Sequence, residues 1–405
     1  MGPLTHASAV KMLSIMAEKR LRFSGQNPNY PNVLLAAPTG KAAHIIGGMT
    51  LHGAFTLDFA LTQHTSLSDK KLAKARDTLS NLKLIIIDEM SMVSSDTLYK
   101  IHQRLSEIHY GTDDLFANIG IILVGDLLQL RPIQASWIFS TPRDKKRKML
   151  YELLSLWKQF KVINLKHNHR QGEGSQWTEL LNRVRIGEPS DDDIKILETL
   201  VTEQEDLDPT KTHVFITNVD VTDHNAKMLN KIDSPSQVFS AKKSSNVKGF
   251  NQDPKKDGRI NNTPFMDKLH LKIGAKVTLL VNVLTNDGMV NGAMGTVVGF
   301  EKDKRGEIMV MVSFEEPNDG YFQRLKYPRE SAKYKAKNGT PIVSHELKYN
   351  PKKANSKHTH SITARVIQIP LRLAWALTCH KIQVNNNLNF SSFYIVFQNI
   401  FISIL

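Results

Sequence analysis

Through the first half of the chain, short apolar runs alternate with longer amphipathic segments. The runs at 33–37, 84–87, 119–124, 161–165 and 213–217 each end in polar or charged residues. Apolar runs of this length, spaced by helical patterns, predict buried parallel strands joined by crossover helices. The fold class expected is α/β, with ligand groups gathered just beyond the carboxyl ends of the strands. Chemistry should therefore lie in the residues that follow each run.

After Ser240 the texture changes. Residues 242–259 are polar, with Gly and Pro, and read as a long surface loop. The β-rich runs 276–281, 295–300 and 308–314 follow, separated by Asn-Asp-Gly, Asn-Gly and Lys-Arg-Gly turns, and predict a small antiparallel barrel.

Charge adds a partner to this picture. The 405 residues carry a net charge of +14, a balance that points to a polyanion, most often nucleic acid. Between 321 and 360 the basic residues outnumber the acids, with Tyr327, Tyr334 and Tyr349 interleaved. The single cysteine, Cys379, excludes an internal disulfide framework and suits a reducing compartment. Neither a signal-peptide pattern nor a bilayer-spanning run is present, so a soluble intracellular protein that does not engage membranes is expected.

Leu84-Ile85-Ile86-Ile87 delivers Asp88 and Glu89 at its tip. Paired acids there suit a nucleotide hydrolase, one holding Mg²⁺ and the other polarising the attacking water. The alternative is a strand end capping the next helix. A second run, Ile121-Ile122-Leu123-Val124, leads to Gly125-Asp126 and then Gln129, whose amide could sense a γ-phosphate or simply face solvent. Upstream, Pro38-Thr39-Gly40 and Thr50-Leu51-His52-Gly53 combine small residues with Thr and His, which suits close approach to a single strand. His52 alone would read as a core histidine. Arg170, in His169-Arg170-Gln171, could stabilise charge on a transferring phosphoryl group or form a surface ion pair.

Taken together, APTGKAA, GGMTLHGAF, IIIDEMSM, VGDLLQLRPI, NHRQ, GMVNGAMGTVVGF and LAWALTCHKIQ resemble successive motifs of the Pif/RecD-like DNA helicases of superfamily 1. The resemblance runs in family order from about Val33 to Gln383. It implies two RecA-like parallel-sheet motor domains, with a small SH3-like β-barrel inserted in the second. The corresponding boundaries are 1–158 for the first domain, 159–283 with 366–405 for the second, and 284–365 for the insertion. It also implies ATP and Mg²⁺ as cofactors, with 5′-to-3′ movement on single-stranded DNA and at DNA junctions. A monomer acting in the nucleus, or alternatively the mitochondrion, is the expected setting, in repair, recombination or telomere maintenance.

Carried over position by position, Asp88 becomes the Mg²⁺ acid and Glu89 the water-activating one. Gln129 becomes the γ-phosphate sensor and Arg170 the phosphate-contacting arginine. Thr39, Thr50 and His52, with Thr378, His380 and Lys381, match positions that line the DNA track.

Two departures stand out. The family's phosphate loop, G-x-x-x-x-G-K-S/T, has no match: five residues before Gly40 stands Leu35, and Ala42 follows Lys41. The chain is expected to open in the helix that should follow that loop, near 8–22. After Gln383 the sequence VNNNLNFSSFYIVFQNIFISIL carries no charge, where the family has a further strand and a terminal arginine motif. Its composition fits a retained intron or a gene model that stops early, or alternatively a divergent terminal strand and helix. The chain as written is expected to turn over no ATP, and a non-catalytic nucleic-acid-binding fragment or a decayed mobile-element helicase is the competing reading.

Overall fold

The computed structural model describes residues 6–57, 66–133, 135–141, 156–165, 176–202, 211–245, 253–261, 263–349, 364–379, 393–397 and 400–404. It divides into two compact units, Met1–Ile194 and Lys195–Leu405.

The first unit is built on a parallel sheet of β1 (Val33–Ala37), β2 (Met49–Thr50), β3 (Leu84–Ile87) and β4 (Gly120–Leu123), in the order β2-β1-β3-β4. Its helices are α1 (His6–Leu21), α2 (Gly40–Ile46), α3 (Leu51–Phe55), α4 (Asp69–Thr78), α5 (Ser95–Ile108), α6 (Gln176–Ile186) and α7 (Asp191–Glu198), the last running across the division. α5 begins at Ser94, whose hydroxyl accepts the Thr97 N–H, and buries Leu98, Ile101, Leu105 and Ile108 at helical spacing. Each such side chain contributes about 1.5–3 kcal/mol of burial. This stripe packs with Leu34, Ile85 and Ile87 of the sheet into one core. α1 is tied to the start of β1 through Glu18, which accepts the Asn32 and Val33 N–H groups at 3.2 and 2.8 Å.

The expected buried strand at 161–165 is not found. The segment is extended but belongs to no strand, and Val162 and Ile163 are 85% and 86% exposed. An apolar run becomes a strand only where a neighbour offers a free edge, and no described strand pairs with this one.

In the second unit the strands are β5 (Val201–Thr202), β6 (Thr212–Phe215), β7 (Gln237–Ser240), β8 (Lys242–Ser245), β9 (Lys268–Leu271), β10 (Lys276–Leu279), β11 (Met294–Lys302), β12 (Ile308–Phe314), β13 (Thr340–Ile342), β14 (His345–Tyr349), β15 (Ala364–Gln368), β16 (Leu371–Leu373), β17 (Ala376–Thr378), β18 (Phe393–Phe397) and β19 (Ile400–Ile404). The β-rich runs form the five-stranded antiparallel sheet β13-β12-β11-β10-β16, around Val277, Val297, Val310 and Leu371. A helical insert, α9 (Tyr321–Lys326) and α10 (Pro328–Ala332), lies between β12 and β13. The polar stretch read as a loop starts instead as β8, which pairs with β15.

A mixed sheet, β17-β6-β18-β19-β5, includes residues 376–378 of the last motif and residues 393–397 and 400–404 beyond it. α8 (Asn218–Asn230) packs on it through Asn225, whose amide donates to the Leu373 and Ala376 carbonyls and accepts the Ala376 N–H. Among the described residues no helix is long and apolar enough to cross a membrane.

Candidate functional site

The register of the parallel sheet fixes which residues meet. Thr50 pairs with Ala37, Ala36 with Ile87, and Ile87 with Leu123. The carboxyl tips of all four strands therefore stand in one row. Thr50 ends β2 and His52 lies just beyond it, Thr39 follows β1, Asp88 and Glu89 follow β3, and Asp126 and Gln129 follow β4. Neighbouring strands lie about 4.8 Å apart, so the Thr50 corner and the Asp88 corner are separated by about 10 Å.

The corner at β1 and β2 is built from helix starts. Thr39 Oγ1 accepts the Ala42 N–H at 3.3 Å and caps α2, which ends on Gly47 at φ 71°. Thr50 Oγ1 accepts the Gly53 N–H at 3.1 Å and caps α3. Arg104, buried in α5, donates from Nε to the Phe55 carbonyl at 3.0 Å and pairs with Glu107, holding the far end of α3. His52 sits in α3, and burial, then the charge of Lys100, pushes its pKa down.

The corner at β3 and β4 is different. Asp88 is only 4% exposed, and its Oδ1 lies 2.7 Å from His6 Nε2 and accepts the Glu89 N–H at 2.9 Å. His6 comes from the first turn of α1. Glu89 adopts φ 54° and ψ 47°, a left-handed conformation that costs a non-glycine residue of the order of 1 kcal/mol. The bend is held by Met90, whose N–H donates to the Val124 carbonyl at 3.0 Å. It is held also by Gly125 at φ 142°, where a Cβ would come within 2.8 Å of the Met90 nitrogen. Asp126 accepts the Leu128 N–H and Arg185 Nη2, each at 3.0 Å. Gln129 is exposed beyond it.

In the second unit Thr378 ends β17, buried, with its register partner Phe215 on β6. The rings of His213, on β6, and His224 lie tilted against each other at 34°, with centroids 4.2 Å apart. Burial, then the neighbouring His213, pushes His224 down to about 4. Arg170, His380 and Lys381 lie outside the described residues.

Sequence reasoning missed His6 and Arg185. Each reaches a strand-tip acid from far along the chain, 82 and 59 residues away, and nothing in the local pattern marks it. Among the described residues no cluster of three or more His, Cys, Asp or Glu side chains could hold a metal ion. Asp88 Oδ1 is engaged by His6 Nε2.

Comparison with known proteins places this arrangement. The profile of the PIF1-like helicases matches residues 19–192, and that of the 2B domain of the DNA helicase Pif1 matches residues 259–300. An ATP-dependent DNA helicase Pif1 from Psychrobacter is 30% identical over 87% of this chain and 56% of its own length. The human ATP-dependent DNA helicase PIF1 is 27% identical over 89% of this chain and 50% of its own length. The chain thus spans about half the length of these relatives. Among solved structures, Bacteroides Pif1 bound to single-stranded DNA superposes with a TM-score of 0.65 at 23% identity, covering 96% of this chain and 80% of that one. At that identity the likeness speaks for the fold, an α/β architecture of the RecA-like kind.

Proposed function

Because this chain belongs to the PIF1-like helicase family, we propose that it is the motor region of an ATP-dependent DNA helicase, and that as written it binds single-stranded DNA without turning over ATP. The observation that carries the reading is the row of strand tips, with Thr39, Thr50 and His52 at one corner and Asp88 and Glu89 at the other. We read residues 1–158 as the first motor domain and 159–283 with 366–405 as the second. Residues 284–365 are then the SH3-like insertion, containing most of the five-stranded antiparallel sheet.

The residues fit the DNA role better than the nucleotide role. In a family member with a phosphate loop, Asp88 would hold Mg²⁺, Glu89 would polarise water, Gln129 would sense the γ-phosphate, and Arg170 would contact it. None of the 405 residues matches that loop, the segment that in such enzymes cradles the β- and γ-phosphates with backbone N–H groups and a lysine. Asp88 alone cannot replace it, because Mg²⁺ sites rely on phosphate oxygens as well as carboxylates. The family's DNA-track positions on this chain are Thr39, Thr50, His52, Thr378, His380 and Lys381. The finer setting rests on the family resemblance alone: a monomer moving 5′ to 3′ on single strands and junctions, in the nucleus, during repair, recombination or telomere maintenance.

The test is a titration of the 405-residue protein with a fluorescent oligothymidylate at rising salt. Affinity should fall linearly on a log–log scale, with a slope of about −0.7 for each phosphate neutralised. Folded protein that fails to bind at low salt would overturn the reading.

A further inference from the structure

The helical insert of the second unit lies beyond both profile matches, which cover 19–192 and 259–300. It is firmly seated. Asp287 accepts the Phe322 and Gln323 N–H groups, each at 3.0 Å, and the buried Gln323 amide donates to the Pro341 carbonyl at 3.1 Å. Tyr334 donates to Glu301 at 3.2 Å and lies so close over Gly299 that any Cβ there would collide with its ring.

What this seating displays is unusual. Tyr321, Phe322 and Leu325 are 54%, 54% and 59% exposed. At about 100° per residue they fall on one outward face of α9, opposite Gln323, with Lys326 at its margin. The two rings meet edge to face, with centroids 5.5 Å apart.

Along this insert and the segment after it the charge is one-sided. Residues 321–339 hold Arg324, Lys326, Arg329, Lys333, Lys335 and Lys337 against the single acid Glu330. Arg324 is spent on Asp319, Pro317 and Thr340, and Lys333 on Glu301. Lys326, Arg329, Lys335 and Lys337 are exposed, and no described carboxylate forms a salt bridge with them.

We propose that the outer face of α9, with Tyr321, Phe322 and Lys326, together with Arg329 of the following α10, is a second binding site for single-stranded nucleic acid, built by the second unit's own residues. Bases stack on the two rings while the lysines and arginine take the phosphates, the combination that grips single strands without reading sequence. An acidic protein would satisfy the cations but leaves the paired aromatic rings without a counterpart. The inference rests on the DNA-binding reading above, and its test separates the two.

Oligothymidylate affinity is measured by anisotropy for the full chain, for Tyr321→Ala/Phe322→Ala, and for Lys326→Gln/Arg329→Gln. Melting curves verify that each is folded, and all four side chains are surface groups. The aromatic variant should bind about tenfold or more weakly. The charge variant should flatten the salt slope by about 1.4. Tyr321→Trp should keep the affinity of the parent, and bromodeoxyuridine crosslinks should map to α9. If the parent binds and both double variants bind equally well, this proposal fails while the motor reading stands. If they lose affinity for a polyglutamate peptide instead of for DNA, the face serves a protein and the proposal also fails. Absence of DNA binding by the parent would overturn both readings.

Discussion

The two corners of the strand-tip row are made in opposite ways. At the β1–β2 corner Thr39 and Thr50 each complete a helix start, and Arg104 braces α3 from behind. At the β3–β4 corner Glu89 is bent into a left-handed conformation and the buried carboxylate of Asp88 is engaged by His6. The first corner is locally satisfied, so its candidate DNA residues also hold the fold together. The second stores strain around its acids, the pattern expected where chemistry rather than stability sets the geometry. Substitutions at the two corners should therefore move stability in different directions.

The largest effect should come from the brace. Arg104→Met leaves the Phe55 carbonyl and Glu107 without their buried partner and should cost about 3 kcal/mol, read by urea denaturation. A loss below about 1 kcal/mol would mean that α3 does not depend on α5.

Acid should come next. His52 and His224 have folded-state pKa values below the usual 6.5, His224 at about 4. Between those values the unfolded chain binds more protons, so stability falls as pH drops from about 6.5 towards 4. Allowing for solvent screening, His224 should contribute about 1–2 kcal/mol of that loss. Stability curves of His224→Gln and His52→Gln should each be flatter than the parent's over this window. Identical curves would show that these rings titrate normally.

Thr39→Ala should cost about 1 kcal/mol through the lost cap, with Thr39→Ser restoring most of it. Glu89→Gly should go the other way, gaining a few tenths to about 1 kcal/mol by relieving the positive φ. If Thr39→Ala and Glu89→Gly shift the thermal midpoint in the same direction, the contrast between the corners is wrong.

Much of this first sheet was legible from the pattern. β1, β3 and β4 coincide with apolar runs, and an open parallel sheet must align their tips, so Asp88, Glu89 and Thr39 were found together. What failed did so because strand formation is a property of pairs. Val162 and Ile163 look like a buried strand but lack a described neighbour, whereas Lys242–Ser245, without an apolar residue, becomes a strand because β15 supplies the edge. His6 and Arg185 stayed hidden for the same reason, since their partners are close in space and distant in sequence. The aromatic face of α9 is only half visible in the sequence: the pattern shows the basic stretch, but not which rings the helix leaves outward.

We propose above that the 405 residues bind single-stranded DNA through the β1–β2 corner and do not turn over ATP. DNA-stimulated phosphate release, measured for the 405-residue protein and for Glu89→Gln in parallel, tests it most directly. Losing one arginine finger alone typically costs about three to five orders of magnitude in rate. With no match to the phosphate loop, both proteins should therefore release no phosphate above background while still binding oligothymidylate. Robust release by the parent that vanishes in Glu89→Gln would contradict the account, because another segment would then have to hold the phosphates beside Asp88.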